Sequence, residues 1–289
     1  MASNSDTGFA TFGTDSPSVP VLVSVPHAGR NYPEVVFSAL RLPQDSLVRL
    51  EDRYTDLLVR QSVALGYPVI VAHRARAWID LNRDENDLDV EMIRGAIRDD
   101  YPTASAKQRG GLGLIPRRLL AEGDIWKYQF ELADIEARLA SFHRPYHTAI
   151  ADILERMRQK FGIAILLDLH SMPPIRQPTA LPAPVFVIGD RYGKSAASQY
   201  ADAVTDQIRA RGHPVALNHP YSGEYILTRH GRPRANVHAI QLEVDRSLYL
   251  DSALREPGPG LHRINALISD LVASLSDDAL GYLSLIAAE

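Results

Sequence analysis

The chain has 289 residues, 45% of them hydrophobic, and a net charge of −4, enough for one large α/β unit with its own core. So small a charge, with no basic run, argues against a nucleic-acid partner. The absence of cysteine excludes disulfides, thiolate metal clusters and a cysteine nucleophile, so any metal must be held by His, Asp or Glu.

Residues 1–17 read as a polar, flexible N-terminal arm, and 18–289 as one domain. The arm lacks the basic start and apolar centre of a signal peptide. No apolar run is long enough for a bilayer, so the expectation is a cytoplasmic protein with no membrane partner. SVPVLVSVP predicts a strand buried on both faces. Residues 45–65 predict one helix, capped by Asp45 or Ser46, striped by Leu47, Leu50, Tyr54 and Leu57, and ended by Gly66. YPVIVAH and ARAWIDLN predict strands. Residues 84–123, rich in charge and glycine, read as a long active-site loop. Residues 124–160 predict a long helix that Pro145 kinks or breaks. IAILLDLH predicts a strand leading into the proline-rich SMPPIRQPTALPAP. APVFVIGD and PVALN predict strands on either side of the helix SAASQYADAVTDQIRARG. SGEYILTRHG reads as a hairpin or loop, VHAIQLEVD as the last long strand, and 260–277 as a helix covering the sheet. Strands that alternate with helices imply a mostly parallel or mixed sheet with helices on both faces.

Three of these strands end in groups that bind metals or move protons. His27 closes the first, Asp168 and His170 close the fourth, and Glu243 lies near the end of the last. Ligands of open α/β sheets sit beyond the carboxyl ends of strands, so these endings point to one pocket. Two imidazoles and a carboxylate, with a base beside them, are the ligand set of a catalytic zinc site. Asp168 and His170, two apart on a strand, share a face. Asp168 can therefore orient an imidazole or an ion-bound water from behind. Glu243 is the candidate general base, its plainer alternative being an ion pair with Arg246. For a third metal ligand, LEDRYTD offers Glu51, Asp52 and Asp56. On a helix Asp52 and Asp56 would share a face, and a solvated acidic face is the competing explanation. Gly29 after His27 would let the chain turn beside an ion. Asn82 and Arg83 are placed to clamp a substrate carboxylate. Tyr225, Arg229, Arg232 and the histidines of FHRPYH are further substrate candidates, although ordinary surface charge suits Arg232 and His143 better.

SVPHAG, EDRYTD, IDLNR, FHRPYH, LLDLHSMP, NHPYSGEYILTRHGRP and HAIQLEVDRSLYLD occur in this order between about residues 20 and 252. Together they give a chain that resembles the N-formylglutamate amidohydrolase (N-formylglutamate deformylase) family. The resemblance implies the three-layer α/β/α fold of the zinc carboxypeptidases. It implies one Zn2+ ion, or another divalent metal, on His27, an acidic residue of EDRYTD (Asp52 preferred) and His170, with Glu243 as base. The substrate it implies is a small N-acyl acidic amino acid, N-formyl-L-glutamate above all, and the setting histidine degradation. Arg53 and the segment between Arg83 and Trp126 depart from the family pattern. A deacylase or carboxypeptidase of other N-acyl amino acids, or an inactive binding relative, is the alternative.

Overall fold

The computed structural model describes residues 8–98, 103–176 and 182–286, with side chains to residue 281. Its strands are β1 (Phe9–Phe12), β2 (Val21–Val25), β3 (Val69–Ala72), β4 (Arg118–Leu119), β5 (Gly123–Asp124), β6 (Ala164–Met172), β7 (Phe186–Gly189), β8 (Val215–Leu217) and β9 (Val237–Asp245). Seven of them form one sheet in the order β1-β3-β2-β6-β9-β7-β8, while β4 and β5 make a separate two-stranded ribbon. The four strands β3, β2, β6 and β9 run parallel, so their carboxyl ends meet along one edge. Strands β1 and β7 join antiparallel, and β8 follows β7 in parallel. The sheet is mixed and mostly parallel, as expected.

The helices are α1 (Glu34–Ala39), α2 (Arg60–Ala64), α3 (Ala106–Arg109), α4 (Leu132–Arg138), α5 (Arg144–Phe161), α6 (Ser198–Ala210), α7 (Tyr225–His230) and α8 (Leu261–Ile286). Alternation along the strands divides the core between two layers. Val23, Leu167 and Leu242 face one side, where they pack with Tyr200 and Val204 of α6 and Ile264, Ile268 and Leu271 of α8. Leu22, Leu166 and Ala239 face the other, with Ile150, Leu154 and Met157 of α5. Each such fully buried aliphatic side chain contributes roughly 1.5–3 kcal/mol by leaving water. Helices therefore cover both faces, giving α/β/α layers. Among the described residues no helix is long and apolar enough to cross a membrane.

Several expectations are corrected. The N-terminal arm is not free over Phe9–Phe12, because these residues pair with β3 and bury Phe9 and Ala10. The helix expected over 45–65 is three short pieces, the 3-10 segments Gln44–Leu50 and Thr55–Val59 followed by α2. The break falls at Glu51, which is extended, and Tyr54, which is left-handed at φ 62°. The Tyr54 ring lies under the guanidinium groups of Arg30 and Arg53, at 4.5 and 4.9 Å, and its hydroxyl donates to Glu256 at 2.7 Å; these contacts hold the strained backbone. ARAWIDLN makes turns rather than a strand: the Asp80 carboxylate accepts the Asn82 N–H, and the chain bends there. The helix expected from 124 begins only at Leu132. Pro145 lacks an N–H, and a π turn at Leu139–His143 absorbs the disruption before α5. SGEYILTRHG carries the short helix α7, not a hairpin. The segment 84–123 contains α3 and the β4–β5 ribbon, although residues 99–102 lie outside the described residues, as do 177–181 of the proline-rich segment.

Candidate metal centre and active site

Strand alternation builds the site. In β6 the residues that share a face with Leu166 are Asp168 and His170, and in β9 those that share a face with Ala239 are Gln241 and Glu243. Strand pairing sets Ser24 opposite Asp168, and His170 opposite Glu243. A single register thus aligns four polar side chains at the carboxyl edge, on the α5 face. His27 arrives two residues after β2. Gly29 serves close packing rather than a sharp turn beside an ion, since a Cβ there would collide with the Arg74 carbonyl.

His27, Asp52 and His170 are buried and come together, each offering one ligand atom, all within 4.8 Å of one another. The break in the expected helix makes this meeting possible. The Asp52 N–H donates to the His27 carbonyl at 3.0 Å, which brings the extended Glu51–Asp52 stretch against β2. Asp56 turns away to a paired contact with Arg30, at 2.8 and 2.9 Å. Glu51 accepts from Tyr32 and Arg53. Asp52 and Asp56 therefore do not share a face, and only Asp52 reaches the imidazoles.

Each imidazole is braced from behind by a carboxylate. His27 Nε2 is 2.7 Å from Asp80 Oδ1, and His170 Nε2 is 2.9 Å from Asp168 Oδ2. Both Nδ1 atoms face Asp52 Oδ2, at 3.5 Å from His27 and 2.9 Å from His170. The other Asp52 oxygen accepts from Arg246 at 3.2 Å and from Ser171 at 3.4 Å, which leaves Oδ2 for the histidines. His27 Nδ1 is buried with no hydrogen-bond partner. An orphaned buried nitrogen costs about 1–3 kcal/mol, and a cation at this point would satisfy it.

The electrostatics agree. Burial alone would raise the Asp52 carboxyl, but the imidazoles of His170 and His27 outweigh it and hold the group well below the usual range. Burial alone would lower His170, yet the carboxylates of Asp168 and Asp52 raise it well above an ordinary imidazole. Acids gathered around one point demand positive charge there, and a divalent cation meets that demand without a proton. These residues fit a metal of the imidazole- and carboxylate-binding kind.

Glu243 lies 8% exposed in the wall of a pocket of about 390 Å3 that also includes His27, Asp52 and His170. Burial, followed by the negative charge of Asp52, pushes its carboxyl up to about 7, against the pull of His170, Arg246 and Arg76. Gln241 donates to its Oε1 at 2.9 Å. The simple ion pair with Arg246 does not form, because Arg246 is used by the Glu51 carbonyl, Asp52 and Ser171.

Asn82 and Arg83 line the same pocket. Asn82 Oδ1 accepts the Ile226 N–H at 2.8 Å, and its Nδ2 is 3.2 Å from His170 Nε2. Arg83 donates Nε to the Leu112 carbonyl and Nη1 to the Asn82 carbonyl. Tyr225 and Arg229 are not brought to this pocket. Tyr225 stacks on His143, with ring centroids 5.9 Å apart, and Arg229 is exposed and donates to the Tyr225 hydroxyl. Arg232 likewise lies away from it.

Sequence reasoning missed Asp80, Arg76, Lys107 and Glu224. Asp80 is fully buried and shared among His27, the Asn82 N–H and Arg76, whose Nε is 2.8 Å away. Reading WIDL as a strand hid it, although an acid two residues before Asn-Arg was visible. Lys107 and Glu224 lie 3.2 Å apart at the pocket wall, with Glu224 3.5 Å from Arg83, and no local pattern marks them.

Comparison with known proteins matches this architecture. A family model described as N-formylglutamate amidohydrolase matches residues 19–250. An N-formylglutamate deformylase of Pseudomonas aeruginosa is 29% identical over 270 residues, covering 89% of this chain and 92% of that one. A second, from Pseudomonas putida, is 30% identical over 235 residues, covering 81% and 82%. The crystal structure of N-formylglutamate amidohydrolase from Ralstonia eutropha superposes with a TM-score of 0.86 at 28% identity, over 94% of this chain and 98% of that one. A gene product of Agrobacterium tumefaciens shares the fold at a TM-score of 0.67 and 16% identity, over 96% of each chain. The chain belongs to the N-formylglutamate amidohydrolase family.

Proposed function

We propose that this protein hydrolyses N-formyl-L-glutamate to formate and L-glutamate, using one zinc ion held by His27 Nδ1, Asp52 Oδ2 and His170 Nδ1. The observation that carries the proposal is the orphaned, carboxylate-braced His27 Nδ1 facing Asp52 and His170 inside the pocket that also holds Glu243. The names of the relatives supply the substrate.

When bound, the ion would supply Lewis acidity to polarise the formyl carbonyl and to acidify the attacking water. Glu243 is the proton carrier. Its Oε1 is engaged by Gln241, which leaves Oε2 to take a proton from the attacking water and deliver it to the leaving nitrogen. Water adds to the formyl carbon, the C–N bond breaks, and the amine leaves protonated. Asp80 and Asp168 keep the imidazole Nε2 atoms protonated and the rings oriented. Asn82 and Arg83 hold a substrate carboxylate and fix the amide against Glu243.

The test is a side-by-side assay of formyl-, acetyl- and succinyl-glutamate and of formyl-aspartate, before and after chelation and with zinc restored. N-formyl-L-glutamate should be the preferred substrate, and activity should vanish with the metal and return with it. Preference for another acyl group would move the assignment to a different deacylase. Full activity in metal-free protein would end the metal reading.

A further inference from the structure

We propose that His143, His147 and His230 form a positioning cluster that sets the geometry of the Asn82–Arg83 dipeptide; the proposal rests on the reading that this dipeptide holds a substrate carboxylate. All three imidazoles are buried, at 0%, 0% and 4% exposure, and none of them lines the pocket that includes His27, Asp52 and His170. His147 Nε2 is 2.9 Å from the Leu81 carbonyl, and His143 Nε2 is 2.9 Å from the Arg83 carbonyl. These two carbonyls bracket Asn82.

The chemistry fixes the direction of every bond. A carbonyl only accepts, so Nε2 carries the hydrogen in both His147 and His143. Neutral His147 then has a lone pair on Nδ1, and His230 Nε2 donates to it at 3.0 Å. Burial, the first cause for each, lowers all three from the ordinary imidazole value and keeps them neutral. The π turn before Pro145 and the first turn of α5 deliver His143 and His147, and the end of α7 delivers His230.

The arrangement answers a backbone problem. Residues 75–83 lie in no strand or helix, so their buried carbonyls have no ladder to join. Imidazole donors satisfy two of them, Leu81 and Arg83, and so fix the peptide planes on either side of the Asn82–Arg83 dipeptide. The side chains follow. The Asn82 Oδ1 is held by the Ile226 N–H, and Arg83 is braced by the Leu112 and Asn82 carbonyls. Helix α7 acts twice, giving Ile226 N–H to Asn82 and His230 to His147. Tyr225 closes over His143 and His147, with ring centroids 5.9 and 5.1 Å away. A purely space-filling core would need neither the donors nor their alignment on the two carbonyls that flank the dipeptide.

The experiment compares Leu and Gln at two positions. His147→Leu and His143→Leu keep bulk and remove the donor; the Gln variants restore an N–H near the Nε2 position. Steady-state kinetics with N-formyl-L-glutamate and calorimetric binding of L-glutamate are measured on each zinc-loaded protein. The Leu variants should raise KM and the glutamate Kd by about 10-fold or more, with kcat at saturation nearly unchanged, since small misplacements of binding groups cost up to about 100-fold. The Gln variants should recover most of the loss. Should His147→Leu fail to fold, His143→Leu tests the same dipeptide from its other carbonyl. Leu variants that bind glutamate like wild type, or that lose kcat with KM unchanged, overturn the proposal, as do Gln variants no better than Leu. Wild-type protein that neither turns over N-formyl-L-glutamate nor binds L-glutamate removes the functional reading and this one with it. Wild-type activity with unaltered Leu variants removes the cluster's role alone.

Discussion

Asp168→Asn is the cleanest single probe of the metal centre, because it changes one charge and almost no shape. Asp168 is fully buried; its Oδ1 accepts from Ser24 at 2.9 Å and its Oδ2 from His170 Nε2 at 2.9 Å. Asn can keep an oxygen toward His170 and turn its amide toward Ser24, whose hydroxyl is 3.1 Å from Tyr146 and can rotate to suit. The contacts survive, but the negative charge that makes His170 Nδ1 a better donor is lost. Removing such a bracing carboxylate costs about 10- to 100-fold in metal affinity, which is about 1.4–2.7 kcal/mol. Competition against a chromophoric zinc chelator measures this directly and needs no turnover. Asp168→Ala should cost a further 1–3 kcal/mol or so in thermal stability, because the buried His170 Nε2–H then loses its acceptor. A zinc affinity in Asp168→Asn equal to wild type, with the protein folded, would show that His170 does not hold the ion through Nδ1, and the ligand set would have to be redrawn.

Other outcomes follow from the same geometry. Glu243→Gln should keep zinc, measured by metal analysis, yet lose about 100- to 10,000-fold in kcat, the usual worth of a positioned proton carrier; near-normal turnover removes it from that role. Arg83→Lys cannot reproduce the donations from Nε and Nη1, and KM for N-formyl-L-glutamate should rise about 10- to 100-fold with the smaller change in kcat. His238 is 4% exposed, accepts the Ala197 N–H at 3.2 Å through Nδ1, and is pushed down to about 4 by burial. Its folded value lies below the ordinary 6.5, so the unfolded chain binds the extra proton; the contribution is complete above pH 6.5 and lost as pH falls toward 4. Between pH 7 and 5 that is about 2 kcal/mol, and His238→Asn, which keeps an acceptor near the Nδ1 position, should lose this part of the pH dependence in denaturant titrations. An unchanged slope would mean His238 takes up its proton without unfolding the chain around it.

The strands were legible because their signal is local. The apolar run IAILL before Asp168 reads the same in the sequence and in β6, and the mostly apolar VLVSV and VHAIQLEVD do so in β2 and β9. The meeting of His27 with His170 was legible for a related reason. A charged or imidazole side chain at the buried end of such a strand is costly without a partner, and parallel order brings those ends together. Helix 45–65 was misread because its apolar spacing, which suits a helix, describes only what is buried. Nothing in that spacing reports that the Asp52 N–H bonds to the His27 carbonyl, and that tertiary bond overrides a weak helical preference. The same error made Asp56 seem equivalent to Asp52.

Asp168 apart, residues that brace the site were the least legible, and they divide by the reason. Asp80 was hidden by a local misreading, since its side chain makes the turn that replaces the expected strand. Tyr225 and the FHRPYH histidines were seen but assigned to the wrong surface. His143, expected as surface charge, is buried; it and His147 meet the Arg83 and Leu81 carbonyls, and Tyr225 packs on both rings outside the pocket wall. A histidine that donates to a carbonyl and a histidine that ligates a metal present the same letter in a sequence. What separates them is which nitrogen is left over: His27 keeps an unpartnered Nδ1 facing Asp52, whereas His147 has both nitrogens engaged. That distinction is set by chain segments more than fifty residues away, Asp80 for His27 and Leu81 and His230 for His147, so only the folded arrangement can show it.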